Sequence, residues 1–337
     1  MNGADPDPDS DPRMPTAVRL SLLDRSRTRA GEADARALHR TIARAQHAEA
    51  LGYHRFWVAE HHGVPGVASG SPAVLLAAIG AATERIRIGS GGVMLPNHAP
   101  FVVAGQFLML EGLHPGRVDL GVGRSLGFTA GVRRALRTEA PAAERFADDL
   151  AELHDALAGT GPITVRPAVD RPPSVFVLAV QRGLEFAGEA GLPAVVGGSL
   201  LRDPDALRRY RERAGDGAYL IVSADIMIAG TRERARQLLL PEAWAMVRSR
   251  ETGEFGPLEP VDRVLARELT ARQERRLDRW LSGAIYGNAA EVATQLDELL
   301  ARTGADEIMA TTSTYDDADR DAADAALAEL VARRPRL

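Results

Sequence analysis

Short apolar runs recur along the chain at intervals that match one strand and one helix. Ala17–Leu23 is the first strand candidate, followed by a polar loop and by a helical stretch from Ala33 to Leu51 that Gly52 closes. Further runs at 54–59, 86–93, 117–122, 175–179, 194–197, 219–228 and 306–311 read as strands, with alanine-rich helical segments between them. The early strand starts lie 32 residues apart (54 to 86) and 31 apart (86 to 117), about the length of one βα unit. Eight strands with helical crossovers predict an all-parallel sheet, and eight is a number that closes. The expected fold is therefore α/β, a (β/α)8 TIM barrel.

Helix starts are marked by Ser71 before Pro72 and by Asp203 before Pro204, whereas Thr231 is a weaker signal because Arg234 stands where a capping box would place an acid. Two segments exceed the minimal unit: 158–174, rich in Pro and Gly, and 250–283, which starts as a loop and becomes a charged helix around Arg272–Leu281. Both are expected to flank the barrel mouth, with solvated decoration as the alternative. Residues 14–337 read as one domain with these insertions. Residues 1–13, a proline-broken acidic run, read as a disordered tail.

Composition narrows the functional classes. A barrel of about 250 residues plus insertions accommodates the 337 residues. No apolar run reaches the roughly 18 to 20 residues of a membrane span, and no basic-then-apolar segment opens the chain, so a cytoplasmic protein without a membrane partner is expected. The net charge of −5 is scattered and forms no basic stripe, which argues against nucleic acid. The chain has neither cysteine nor lysine. That excludes disulfides, thiolate nucleophiles, cysteine-ligated zinc, Schiff-base lysines and the phosphate-loop lysine. All cationic work falls to arginine or histidine.

The candidate chemistry lies at strand ends. Glu60-His61-His62 directly follows the apolar run Phe56-Trp57-Val58, where barrel enzymes keep their reactive groups. Adjacent loop histidines are otherwise ordinary polar residues. His98, after the next strand, can approach the same pocket; with Glu60 and the two histidines it offers zinc or iron ligands, but the spacing matches no compact motif and no metal is expected. Ser90-Gly91-Gly92-Val93-Met94-Leu95-Pro96 joins glycines to a strand end, as suits a backbone bent against a ligand or a simple strand terminus. Gly121-Val122-Gly123-Arg124-Ser125-Leu126-Gly127 has one residue too many for the dinucleotide fingerprint. It reads better as small residues admitting a flat ring or phosphate, with Arg124 gripping an anion, or as a tight turn with a solvated arginine.

Together, Gly52 to His62, Ile86 to His98 and Leu113 to Arg124 resemble, in order and spacing, the bacterial luciferase-like monooxygenases, in particular the branch attached to natural-product tailoring. Weaker similarity covers most of residues 16–315. The resemblance implies a dimeric barrel that binds reduced FMN delivered by a separate reductase, or in some branches the deazaflavin F420, and uses O2 on a hydrophobic small molecule. It implies His61 as the catalytic histidine, flanked by Glu60 and His62. It further implies Gly91, Gly92, Val93 and Met94 along the flavin ring, and Gly123 and Arg124 at its phosphate. One departure concerns the fifth strand. The family ends it in a serine-containing turn that serves the phosphate, whereas here Ala179 leads into Val180-Gln181-Arg182-Gly183. Gln181 and Arg182 are then the candidates for the lost donors, or the site has decayed, leaving a non-catalytic partner subunit or a binder of something else.

Overall fold

The computed structural model describes residues 18–127, 129–138, 140–179 and 182–333. Ten strands occur in it: β1 (Arg19–Asp24), β2 (Arg55–Val58), β3 (Arg87–Met94), β4 (Val118–Gly123), β5 (Ser174–Ala179), β6 (Ala194–Gly197), β7 (Leu220–Ala224), β8 (Ile226–Ile228), β9 (Ile285–Gly287) and β10 (Glu307–Ala310). Eight close into a parallel barrel in the order β1-β10-β7-β6-β5-β4-β3-β2. This is the (β/α)8 TIM barrel that the strand spacing predicts. The run 219–228 is not one strand: it leaves the barrel after Ala224, and β8 pairs with β9 in a separate two-stranded parallel sheet. The apolar stretches on either side of Ser223-Ala224-Asp225 are both buried, so burial does not mark the exit.

The barrel is plugged by its own side chains, as expected for eight strands. Leu23, Trp57, Phe176, Val195, Ile221 and Met309 fill its interior, with Trp57 edge-on to Phe176 at 5.1 Å. At the amino ends of the strands the filling turns ionic. Buried Arg55 grips Glu307 through Nε and Nη2 at 2.8 and 2.9 Å and Asp119 through Nη1 at 2.8 Å. Trp57 Nε1 donates to Asp119 at 3.1 Å, and Tyr219 OH donates to Glu307 at 2.8 Å. Such a set is tolerable in a low-dielectric floor only because its charges are paired. The open space is therefore above the strands, at their carboxyl ends.

The two long segments go to opposite ends. Residues 158–174 lead into the amino end of β5, where buried Val165 packs into the main core beside Gly105. This corrects the expectation of a mouth position: length and Pro/Gly content say nothing about which end of the barrel a loop occupies, whereas its place before a strand does. Residues 250–283 follow the exit from β7 and lie at the mouth. Leu258 exchanges backbone hydrogen bonds with the loop after β1, through Thr28 O at 2.9 Å and Ala30 N at 2.8 Å. The charged helix is observed as Ala271–Leu281. Together with the long helix Arg232–Thr252 it builds a second hydrophobic cluster around Leu239, Trp244, Leu277 and Leu281.

Caps divide differently from their sequence signals. Asp203 accepts from Ala206 N at 3.0 Å and Thr231 from Arg234 N at 3.1 Å, while Ser71 makes no capping bond. The hydroxyl cap needs only the backbone N–H of the third helical residue, so Arg234 is no obstacle. Among the described residues no helix is long and apolar enough to cross a membrane.

Candidate functional site

One carboxylate organises the rim between β2 and β3. Glu60, 3% exposed, follows β2. Its Oε1 faces His62 Nε2 at 2.5 Å and His98 Nε2 at 2.7 Å, while its Oε2 accepts the Met94 N–H at 3.0 Å. Burial alone would raise the pKa of this group, but the bonds from His62, His98 and Met94 outweigh it and hold it at about 2. Glu60 thus stays ionised and ties the loop after β2 to the end of β3. Fold, not sequence spacing, brings Glu60, His62 and His98 together, with ligand-type atoms all within 4.8 Å of one another.

His61 sits between Glu60 and His62 in the chain and is fixed from the backbone. Its N–H donates to Ser69 O at 2.9 Å, and Ser69 Oγ donates to Ala59 O at 2.6 Å, which closes the loop on itself. Burial, with the charges of Arg25 and Arg27 nearby, lowers the His61 pKa to about 4. At neutral pH the imidazole is neutral and able to accept a proton.

The glycines of β3 and β4 serve close packing within the sheet. A Cβ on Gly91 would meet Leu23 Cδ1 at 2.5 Å, and one on Gly92 would meet Gly121 O at 2.8 Å. The Gly91–Gly92 peptide bond is cis, and the pairing of β3 with β4 skips Gly92. Val93 packs its side chain into the core between barrel and helices, so only its backbone faces the mouth. Met94, whose N–H binds Glu60, pairs with Gly123, which places Arg124 at the next step along the rim. Gly123 has room: its nearest neighbour to an added Cβ is Leu178 Cβ at 3.7 Å.

Arg124 is half-buried and has no ion-pair partner among the described residues. Arg182 heads the helix Gly183–Glu189 after β5, with its guanidinium 5.8 Å from the Phe186 ring centroid and likewise no ion pair among the described residues. Neighbouring strand ends thus carry two un-neutralised guanidinium groups, a donor set that fits a phosphate-bearing cofactor. Gln181 and Val180 lie outside the described residues.

Sequence reasoning missed the opposite wall. Arg25 and Arg27, after β1, converge on Glu242 of the long helix at 2.8 Å each, and Arg25 reaches Asp225 at the end of β7 at 3.5 Å. Arg27 also bonds Gly66 O and stacks 4.1 Å from the Phe255 ring centroid. These contacts clamp the 250–283 segment over the mouth. The available signal is Glu242 itself, an acid following the apolar run Leu238-Leu239-Leu240-Pro241. Beside Arg25, over the ends of β6, β7 and β10, lies a cavity of about 1030 Å³.

Comparisons with known proteins agree with this geometry. The family model for luciferase-like monooxygenases matches residues 18–307. A luciferase-like monooxygenase of Escherichia coli (strain K12) is 33% identical over 311 residues, 89% of this chain and 92% of that one. The N-acetyl-S-alkylcysteine monooxygenase of Bacillus subtilis is 44% identical over 169 residues, about half of each chain (48% and 51%). The crystal structure of apo-MsnO8 superimposes with a TM-score of 0.84 at 29% identity, covering 95% of this chain and all of that one (100%). Two more distant structures share the fold. One is the oxygenating constituent of a Pseudomonas putida diketocamphane monooxygenase in complex with FMN (TM-score 0.71, 17% identity, 95% and 99% covered). The other is an F420-dependent secondary alcohol dehydrogenase (TM-score 0.67, 16% identity, 94% and 99% covered).

Proposed function

Because this chain belongs to the luciferase-like monooxygenase family, we propose that it is a flavin-dependent monooxygenase that uses reduced FMN and O2 on a small organic molecule. The observation that carries the reading is the rim that runs from Glu60 through Met94 and Gly123 to Arg124, with a neutral His61 next to Glu60 at one end and an un-neutralised guanidinium at the other. Bound reduced flavin supplies electrons to activate O2, one atom of which goes to the substrate and the other to water. Arg124 and Arg182 hold the phosphate, and the backbone of Gly91 to Met94 lines the ring. His61 holds or releases a proton at its imidazole, Glu60 with His62 and His98 positions that loop, and the clamped 250–283 segment keeps water out.

F420 is the second reading, supported by the barrel shared with the F420-dependent dehydrogenase. Five exposed apolar side chains, Val74, Phe101, Val102, Met109 and Leu113, lie on the helices Pro72–Ala82 and Pro100–Leu113 and support a homodimer through that face. A separate reductase delivers the reduced flavin.

The test is a spectral titration of purified protein with reduced FMN and with reduced F420, followed by stopped-flow reoxidation in the presence of N-acetyl-S-alkylcysteine as trial substrate. FMN perturbation that Arg124→Gln weakens, and a reoxidation course that His61→Ala alters without weakening binding, are expected. Perturbation by neither cofactor overturns the reading, and perturbation by F420 alone transfers it to the second.

A further inference from the structure

The cavity over β6, β7 and β10 is charged unlike the molecule around it. The chain as a whole carries −5. Six arginines nonetheless line this one space, Arg25, Arg202, Arg250, Arg276, Arg279 and Arg302, against two acids, Asp225 and Glu298. Part of that charge is cancelled locally, since Arg25 pairs with Glu242 and Asp225, and Arg276 lies 3.5 Å from Glu251. Arg302 donates Nε to the Leu201 carbonyl at 2.8 Å, which orients the side chain and leaves its charge intact. Arg202, Arg250 and Arg279 have no ion-pair partner among the described residues, and neither has Glu298. Four uncompensated guanidinium groups against one carboxylate leave an excess of three positive charges.

These arginines come from four different elements: the turn after β6, the end of the long helix, the insertion helix Ala271–Leu281 and the helix Ala289–Thr303. They are solvent-exposed, so each alone is an ordinary surface charge. Convergence on one concave wall is what distinguishes them, because focused like charge in a cleft attracts anions. Between them Met246, Val247, Trp280 and Leu299 add an apolar lining. The inner end of the space is Arg25, whose charge already acts on His61. Arg124, assigned above to the cofactor phosphate, is on the other side of the mouth, at the end of β4.

We infer that this cleft takes the substrate by an anionic group, so that the molecule oxidised is an organic acid with an apolar body rather than a wholly hydrophobic compound. Guanidinium forks suit a carboxylate or a phosphate, and the apolar strip suits the remainder of the molecule. The word substrate rests on the monooxygenase reading; the anion site does not.

The experiment is anaerobic isothermal titration of the full chain with phenylacetate, benzyl phosphate, uncharged benzyl alcohol and reduced FMN. Each is titrated into the wild type, Arg250→Gln/Arg279→Gln and Arg124→Gln. Both anionic probes are expected to bind the wild type at least tenfold more tightly than benzyl alcohol. The double variant should lose at least tenfold for the anions and nothing for FMN, and Arg124→Gln should show the reverse. Carboxylate and phosphate probes separate the two acid classes by their relative affinity. The inference is overturned if neither anion binds the wild type, or if the double variant binds both as the wild type does. It is equally overturned if the double variant loses FMN alone, which would give these arginines to the cofactor. Absence of FMN binding by all three proteins, with anion binding preserved, would instead remove the monooxygenase reading and leave the cleft standing.

Discussion

The two sides of the barrel mouth are built on opposite rules. On the β2–β4 side, Arg124 at its far end apart, both oxygens of the Glu60 carboxylate are engaged, Gly91 and Gly92 are packed to contact, and the histidine loop is closed by its own hydrogen bonds. On the β6–β10 side Arg202, Arg250, Arg279 and Arg302 are exposed around one space and have no ion-pair partner among the described residues. Internal satisfaction suits a part that must hold one geometry for chemistry, and unsatisfied charge suits a part that waits for a ligand. Arg25 bears on both, since it faces the cavity, pairs with buried Glu242 and acts on His61.

The sharpest way to break this division is at that junction. Glu242→Ala leaves Arg25 and Arg27 buried without their main counter-charge and is expected to cost about 3–5 kcal/mol in urea unfolding, the range found when one partner of a buried pair is removed. Next in size, Glu60→Gln keeps the shape but releases the loop from a charged acceptor. It should lower turnover by about 100-fold through displacement of His61 while anion affinity in the arginine cleft stays at the wild-type value. A fall in both would show that the two sides are mechanically one. Met109→Arg on the exposed apolar face should abolish the proposed homodimer in sedimentation without changing either side of the mouth.

Acid dependence separates the sides further. His61 is lowered from 6.5 to about 4, so the unfolded chain binds its proton first as pH falls. Its contribution to stability is complete above pH 6.5 and is lost as pH drops from 6.5 toward 4. Glu60, lowered from 4.5 to about 2, is complete above pH 4.5 and is lost between there and 2. Urea midpoints measured from pH 8 to 4 should therefore be flat and then fall below 6.5, with a shallower fall in His61→Ala. The smallest effect belongs to the solvated pairs of the outer helices: Arg208→Ala, which cuts contacts to Asp205 and Glu212, should leave the unfolding midpoint unchanged.

Legibility follows the same division. The eight barrel strands and the Glu60-His61-His62 cluster were readable because apolar period and strand-end position are local signals. His98 could be suspected for the same reason, but its bond to Glu60 spans 38 residues and depends on two strand ends lying side by side. Arg55 gave no warning: a charge at the head of an apolar strand looks like a boundary, yet it is the floor of the barrel, paired with residues 64 and 252 positions away. The arginine cleft is assembled from four separate elements, none of which has a motif. The exit of the chain after Ala224 was hidden because a strand that stays buried looks the same whichever sheet receives it.

Within the excursion between β7 and β10, the helices Arg232–Thr252 and Ala271–Leu281 share an apolar interior around Leu239, Trp244, Leu277 and Leu281, distinct from the main core. A roof that is cemented internally is a replaceable module. Its sequence can drift, lengthen or be exchanged between relatives, altering which molecules gain entry, while the reactive rim beneath inherits no strain from the change.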